Sequence, residues 1–188
     1  ITITPAMVVS STIAEPDTGE AVWVSGASYT LGQKCILLST HKVYQRVIAG
    51  AGTTAPNLDL TNWVEVGPTN KWAMFDIYRN SPSVFNTATT VVLAPGSRVD
   101  SIAIMGARVS DVSVSIEHDG EVIYTYSAPM QARLVVDYYD YFYADFNYKN
   151  SVLMLSIPPV LNPIITITTS QQGSISSIVI GRQTYIGM

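Results

Sequence analysis

The segment Asp111-Val-Ser-Val-Ser-Ile-Glu117, followed at once by His118-Asp-Gly120, constrains the fold more than any other. Side chains alternate across a strand, so Val112, Val114 and Ile116 share one face while Asp111, Ser113, Ser115 and Glu117 share the other. Such a strand sets one face against a core and the other toward solvent or a partner. Asp-Gly supplies the positive φ angles of a primed turn, so the next run, 120–126, returns as the second arm of a hairpin. Ala94-Pro-Gly-Ser97 marks another turn. Short runs rich in Val, Ile, Thr and Tyr, separated by Gly, Pro, Asn and Asp, recur along the chain. No window keeps an apolar i, i+3, i+4, i+7 stripe over three turns. The expected class is all-β: a small aromatic-cored β module followed by a jelly-roll-like β-sandwich.

The stretch Trp63-Val-Glu-Val-Gly-Pro-Thr-Asn-Lys-Trp-Ala-Met-Phe-Asp76 divides the two. Proline fixes its own φ and biases its predecessor away from helix, so Gly67-Pro68 closes whatever precedes it. Residues 1–20 are expected as an N-terminal arm lying along another surface and 21–67 as the small unit. Residues 68–76 are expected as a joint and first strand, and 77–188 as the sandwich. Candidate strands in the small unit are 21–25, 34–39, 42–48 and 62–66. In the larger unit they are 71–76, 88–94, 99–106, 111–117, 120–126, 133–143, 151–157, 163–169 and 175–181. Gly67, Pro68, Trp72 and Asp76 are the joint residues, with Trp63 packing back and Trp72 packing forward. Asp76 is the kind of short acid that caps a turn.

Composition narrows the function. Charged residues make up 13% of the 188 and hydrophobic residues 47%, so much surface is buried, within the chain or against other chains. A net charge of −4 with scattered Lys and Arg argues against a nucleic-acid partner. The single cysteine, Cys35, excludes a disulfide framework and a cysteine-based metal site, and its strand-like setting suits a buried structural thiol. No apolar run approaches a membrane span, and the start lacks a basic, small-residue-cleaved leader. The chain opens at Ile1 and stops just after a strand-like run, which leaves room for further chain at either end.

Within 21–67, Ala21-Val-Trp23, Tyr29-Thr-Leu-Gly32, Val43-Tyr44, Pro56 and Trp63-Val-Glu-Val66 follow a Trp, Tyr-x-x-Gly, Tyr, Pro, Trp order. In this the unit resembles the small chitin-binding modules of bacterial chitinases. The resemblance implies a miniature aromatic core and makes Trp23, Tyr29, Tyr44 and Trp63 candidate glycan or interface contacts. Where that family carries adjacent exposed aromatics, this chain has Val47-Ile48-Ala49, which weighs toward a structural role for the unit. The continuation Val66-Gly-Pro-Thr-Asn-Lys-Trp-Ala-Met-Phe-Asp76 resembles a motif of bacteriophage tail proteins that leads from such a module into a β-sandwich. Val9-Ser-Ser-Thr-Ile-Ala-Glu15, Val92–Ile104 and Ile178–Gly181 fit the same pattern. The resemblance implies a virion component of a tail tip, baseplate or fibre, assembled in the host cytoplasm with other tail proteins and with copies of itself. It implies no enzyme activity and no cofactor.

Nothing in the residues argues for catalysis. His41 and His118 lie in different units without neighbours at metal-ligand spacing, and no Gly-x-Ser-x-Gly elbow supports a hydrolase triad. An accessory part of a glycoside hydrolase would need paired carboxylates across a cleft, and no pair can be placed. The segment Asp137-Tyr-Tyr-Asp-Tyr-Phe-Tyr-Ala-Asp-Phe-Asn-Tyr148 holds five of the eleven tyrosines. As a strand it would put Tyr139, Tyr141 and Tyr143 on one face. A subunit interface, an ordinary core edge, a sugar or receptor contact and a calcium site at Asp137, Asp140 and Asp145 all remain open. The two functions that emerge are a structural tail subunit and a glycan-binding adhesin module that takes host surface carbohydrate.

Overall fold

The alternating segment forms the strand Asp111–His118, which lies within a five-stranded antiparallel sheet. The order is Val8–Ser11, Thr89–Leu93, Ile164–Thr169, Asp111–His118, Glu121–Pro129. Register turns the alternation into cross-strand rows. Ile116 pairs with Ile165 and Ile165 with Leu93; Val114 pairs with Ile167 and Ile167 with Val91. All six side chains are buried. On the opposite face Ser113 donates to Ser127 at 3.0 Å, and Ser115 sits beside Thr166. Asp119 and Gly120 have φ of 52° and 84°, the two left-handed residues that the hairpin turn requires.

A three-stranded sheet repeats the logic in the order Ser151–Met154, Ser101–Met105, Ser177–Gly181. Its buried rows are Val152, Ile104, Ile178 and Met154, Ile102, Ile180. Long strands alternate between sheets along the chain, from Thr89–Leu93 to Ser101–Met105 to Asp111–His118. The result is a jelly-roll-like β-sandwich whose core is the two buried faces. Each fully buried Val or Ile contributes about 1.5–3 kcal/mol.

The computed structural model describes residues 1–78, 80–132, 136–143, 147–155 and 157–183, which form two units, 1–12 with 74–188 and 13–73. The second unit is built on an antiparallel sheet in the order Lys34–Leu37, Lys42–Arg46, Trp63–Pro68, with Ser28–Tyr29 paired to Gly50–Ala51. So small a sheet cannot gather many aliphatic side chains, and large rings fill the space instead. Tyr29, Cys35, Tyr44 and Trp63 are buried together, with Trp23, Ala27 and Leu37 packed against them.

Several local expectations are corrected. The expected strand 71–76 starts instead as a helical turn, Asn70–Ala73, because the Thr69 carbonyl accepts the amides of both Trp72 and Ala73 at 3.0 Å. The strand before it runs on through Gly67 to Pro68, and Val66 bulges out where the pairing shifts. Of 21–25 only Val22 makes a bridge, to Ile36. Residues 1–20 are not one arm: Val8–Ser11 pairs with Thr89–Leu93, whereas 13–20 belongs to the second unit. The expected strand 133–143 is a helix over Tyr138–Tyr143, with 133–135 outside the described residues.

Burial pushes the Cys35 thiol up to about 11, with nearby Arg46 opposing. The thiol is 1% exposed and therefore both protonated and covered at pH 8. The folded protein should leave it unmodified by a thiol-specific disulfide reagent at that pH, and denaturant should release one reactive equivalent.

Candidate functional site

The aromatics of the small unit are occupied by packing. Tyr29, Tyr44 and Trp63 are 6%, 3% and 2% exposed, so none can offer a ring face to a sugar. Tyr29 meets Trp63 edge-on with centroids 4.9 Å apart, and its hydroxyl accepts the Val24 amide at 2.7 Å. The buried Arg46 guanidinium lies 4.9 Å over the Trp63 ring and 3.9 Å from Asp59. Trp23 is half-buried against the same cluster. Val47 and Ile48, at the position of the chitin binders' exposed aromatics, are exposed but have no flat face.

Trp72 belongs to the 13–73 unit. Its indole nitrogen donates to Glu15 at 2.9 Å and its ring stacks on His41 with centroids 4.4 Å apart. Glu15 is a buried carboxylate that also takes the Thr69 hydroxyl at 2.7 Å and contacts His41 Nδ1 at 2.8 Å. Glu20 accepts the Asn70 amide at 2.9 Å, and Asp17 accepts the Asn70 side chain. Three acids thus strap residues 13–20 to the turn at 69–72. Gly67 and Pro68 close the strand beside it, and Pro68 pairs with Lys42. Asp76, in the other unit, accepts the Tyr78 amide at 2.7 Å and the Ser81 hydroxyl at 2.8 Å, which makes it a turn cap.

Exposed aromatics gather instead on the short helix Tyr138–Tyr143. Asp137 accepts the Asp140 amide at 2.8 Å, and the Asp140 carboxylate accepts the Val136 amide at 3.1 Å. This reciprocal capping starts a helix where aromatic content alone favours a strand. Helical spacing then regroups the rings. Tyr139 and Tyr143 pair at 4.9 Å, whereas Tyr141 packs edge-on to Phe142 at 5.2 Å. Tyr139, Tyr141 and Tyr143 therefore do not share one face. Tyr138, Tyr139, Tyr141, Phe142 and Tyr143 are between 60% and 86% exposed. Val136, Asp137, Tyr138 and Tyr141 enclose a shallow depression of about 340 Å³. Tyr138 and Phe142 are not distinguished by strand reasoning; the Asp137-x-x-Asp140 spacing is the signal that would have found them.

Both histidines are engaged in structure. His118 lies 3.4 Å from Asp119 at the hairpin, and His41 is held by Glu15 and Trp72. Among the described residues no three His, Cys, Asp or Glu side chains gather as a metal ion requires. Asp137 and Asp140 serve the helix cap, and Asp145 lies outside the described residues. Among the described residues no helix is long and apolar enough to cross a membrane.

No protein-family model matches this chain, and no curated protein is significantly similar to it. Among solved structures it is similar to a pectin-binding carbohydrate-binding module, over 63% of this chain and 84% of that one. The identity is 16% and the TM-score 0.37, a level of likeness that carries no argument.

Two substitutions separate structural residues from surface ones. All three tryptophans lie in 13–73, so their fluorescence reports that unit. Glu15→Ala removes the acceptor shared by Trp72 and Thr69 and should cost about 3 kcal/mol in urea unfolding followed by that signal. Tyr138→Ala should leave far-UV circular dichroism and the thermal midpoint of the sandwich nearly unchanged, within about 0.5 kcal/mol.

Proposed function

We propose that this chain is a non-catalytic recognition protein that binds a cell-surface glycan through the helix Tyr138–Tyr143. The observation that carries the reading is five aromatic side chains left largely exposed on six consecutive residues. Contiguous apolar surface of this kind is sustained by something that covers it. A tyrosine ring stacks on the C–H face of a pyranose while its hydroxyl bonds to sugar oxygens, and it loses little rotamer freedom on binding. The depression beside Tyr138 and Tyr141 gives a ring-sized ligand a place to lodge.

The sequence resemblance supports a second reading, which can coexist with the first. The chain would be a structural subunit of a tailed-phage tail tip, baseplate or fibre, located in the virion and assembled with other tail proteins and copies of itself. Leu31, Leu58 and Leu60 are each more than 70% exposed, an arrangement that suits a surface covered in an assembly. Light scattering on purified protein and its detection in intact particles test this setting; a stable monomer absent from virions contradicts it.

For the glycan reading, a glycan array probed with wild-type protein and with a Tyr138→Ala/Tyr141→Ala double variant is the direct test. Saturable binding that falls at least tenfold in the double variant, about 1.4 kcal/mol, is the expected result. No saturable binding to any glycan overturns the reading.

A further inference from the structure

The larger unit carries a second concavity, of about 540 Å³, lined by Asn80, Gly106, Arg108, Asn150, Ser174 and Ser176 among others. None of these residues belongs to the aromatic helix. The volume falls within the ~300–1,000 Å³ of ordinary ligand pockets. Its walls are fastened by main-chain hydrogen bonds. Arg108 donates to the Ser174 carbonyl at 2.8 Å and Ser174 returns the bond at 3.2 Å, while Ala107 donates to Asn150 at 2.9 Å. Close approach of the strands is possible only without side chains at two positions. A Cβ on Gly106, where φ is +63°, would come within 2.3 Å of the Ser176 hydroxyl. A Cβ on Gly173 would come within 2.4 Å of the Arg108 carbonyl oxygen. The cleft is therefore held open in one shape before any ligand arrives, which lowers the ordering cost of binding.

The lining chemistry is selective. Among the described residues of the lining, Arg108 is the one charged side chain; it is exposed and paired with no acid among the described residues. Asn80 and Asn150 each bring an amide that donates and accepts, and the serines bring hydroxyls that do the same. Such groups match a ligand whose own hydroxyls both donate and accept. A guanidinium adds a two-pronged site for a single carboxylate. A polyphosphate would call for several cations, and an apolar peptide for greasy pockets; among the described lining residues Pro82 is the single apolar ring.

We infer that this cleft binds a carboxylated saccharide, with Arg108 as the carboxylate fork and Asn80 and Asn150 reading the neighbouring hydroxyls. The inference rests on the glycan-recognition reading above and adds to it a charge requirement and a second site.

Isothermal titration tests it with two matched pairs: oligogalacturonate against its methyl ester, and sialyllactose against lactose. The pairs separate uronate from sialate sources of the same carboxylate. The wild type should bind at least one acid form at least about tenfold more tightly than its neutral partner. Arg108→Ala should weaken the acid form about ten- to a hundredfold, to the level of the neutral one, with an unchanged thermal midpoint. Arg108→Lys, which keeps charge but not the fork, should fall between. Equal binding of acid and neutral forms, or unchanged binding in Arg108→Ala, overturns the cleft assignment and leaves glycan recognition standing. Failure to bind any saccharide, charged or neutral, overturns both.

Discussion

Cross-strand rows of branched apolar side chains are the constraint on which the sandwich depends. Ile116, Ile165 and Leu93, with Val114, Ile167 and Val91, form one buried face; Val152, Ile104 and Ile178, with Met154, Ile102 and Ile180, form the other. A slip of one residue in any strand would move its whole set to the solvent face, so these rows fix register as well as stability. With register fixed, the segments between strands can carry features that contribute nothing to the core. The aromatic helix lies in sequence between the paired strands Gln131–Ala132 and Asn147–Tyr148, and the polar cleft forms where 106–108 meets 174–176.

The small unit solves the core problem by other means. Its sheet is too short for aliphatic rows, so rings and a guanidinium supply the buried area. Its ends are held by acids: Glu15 gathers Trp72, Thr69 and His41, while Asp17 and Glu20 take Asn70. Hydrogen bonds to a buried carboxylate are strong and leave a heavy penalty when the acceptor is lost. The residues that look most like sugar binders in the sequence are therefore those most committed to structure.

Legibility followed interaction range. The hairpin at Asp119-Gly120 and the alternation of Asp111–His118 are local signals, and both appear in the structure as expected. The helix Tyr138–Tyr143 is hard to read because the β propensity of its aromatics competes with a capping pair three residues apart. The bond from Trp72 to Glu15 is hidden in the sequence because the two lie 57 positions apart, and no local pattern announces such a contact. The Arg108 cleft was equally invisible, since Asn80, Arg108, Asn150 and Ser174 converge only through the sheet topology. Side-chain period and turn chemistry can be read along a chain; the convergence of distant polar groups cannot.

The exposed rings and the polar cleft share one β-sandwich unit and complement each other chemically: the first offers stacking faces, the second polar groups suited to hydroxyls and a carboxylate. The claim that joins them is that the Tyr138–Tyr143 helix is a working recognition surface. Tyrosine nitration mapped by mass spectrometry, with and without a saturating glycan, tests it most directly. The account predicts that bound glycan protects Tyr138 and Tyr141 while Tyr78, also exposed, is labelled as before. Glycan bound at saturation with Tyr138 and Tyr141 nitrated at their free rates would contradict it.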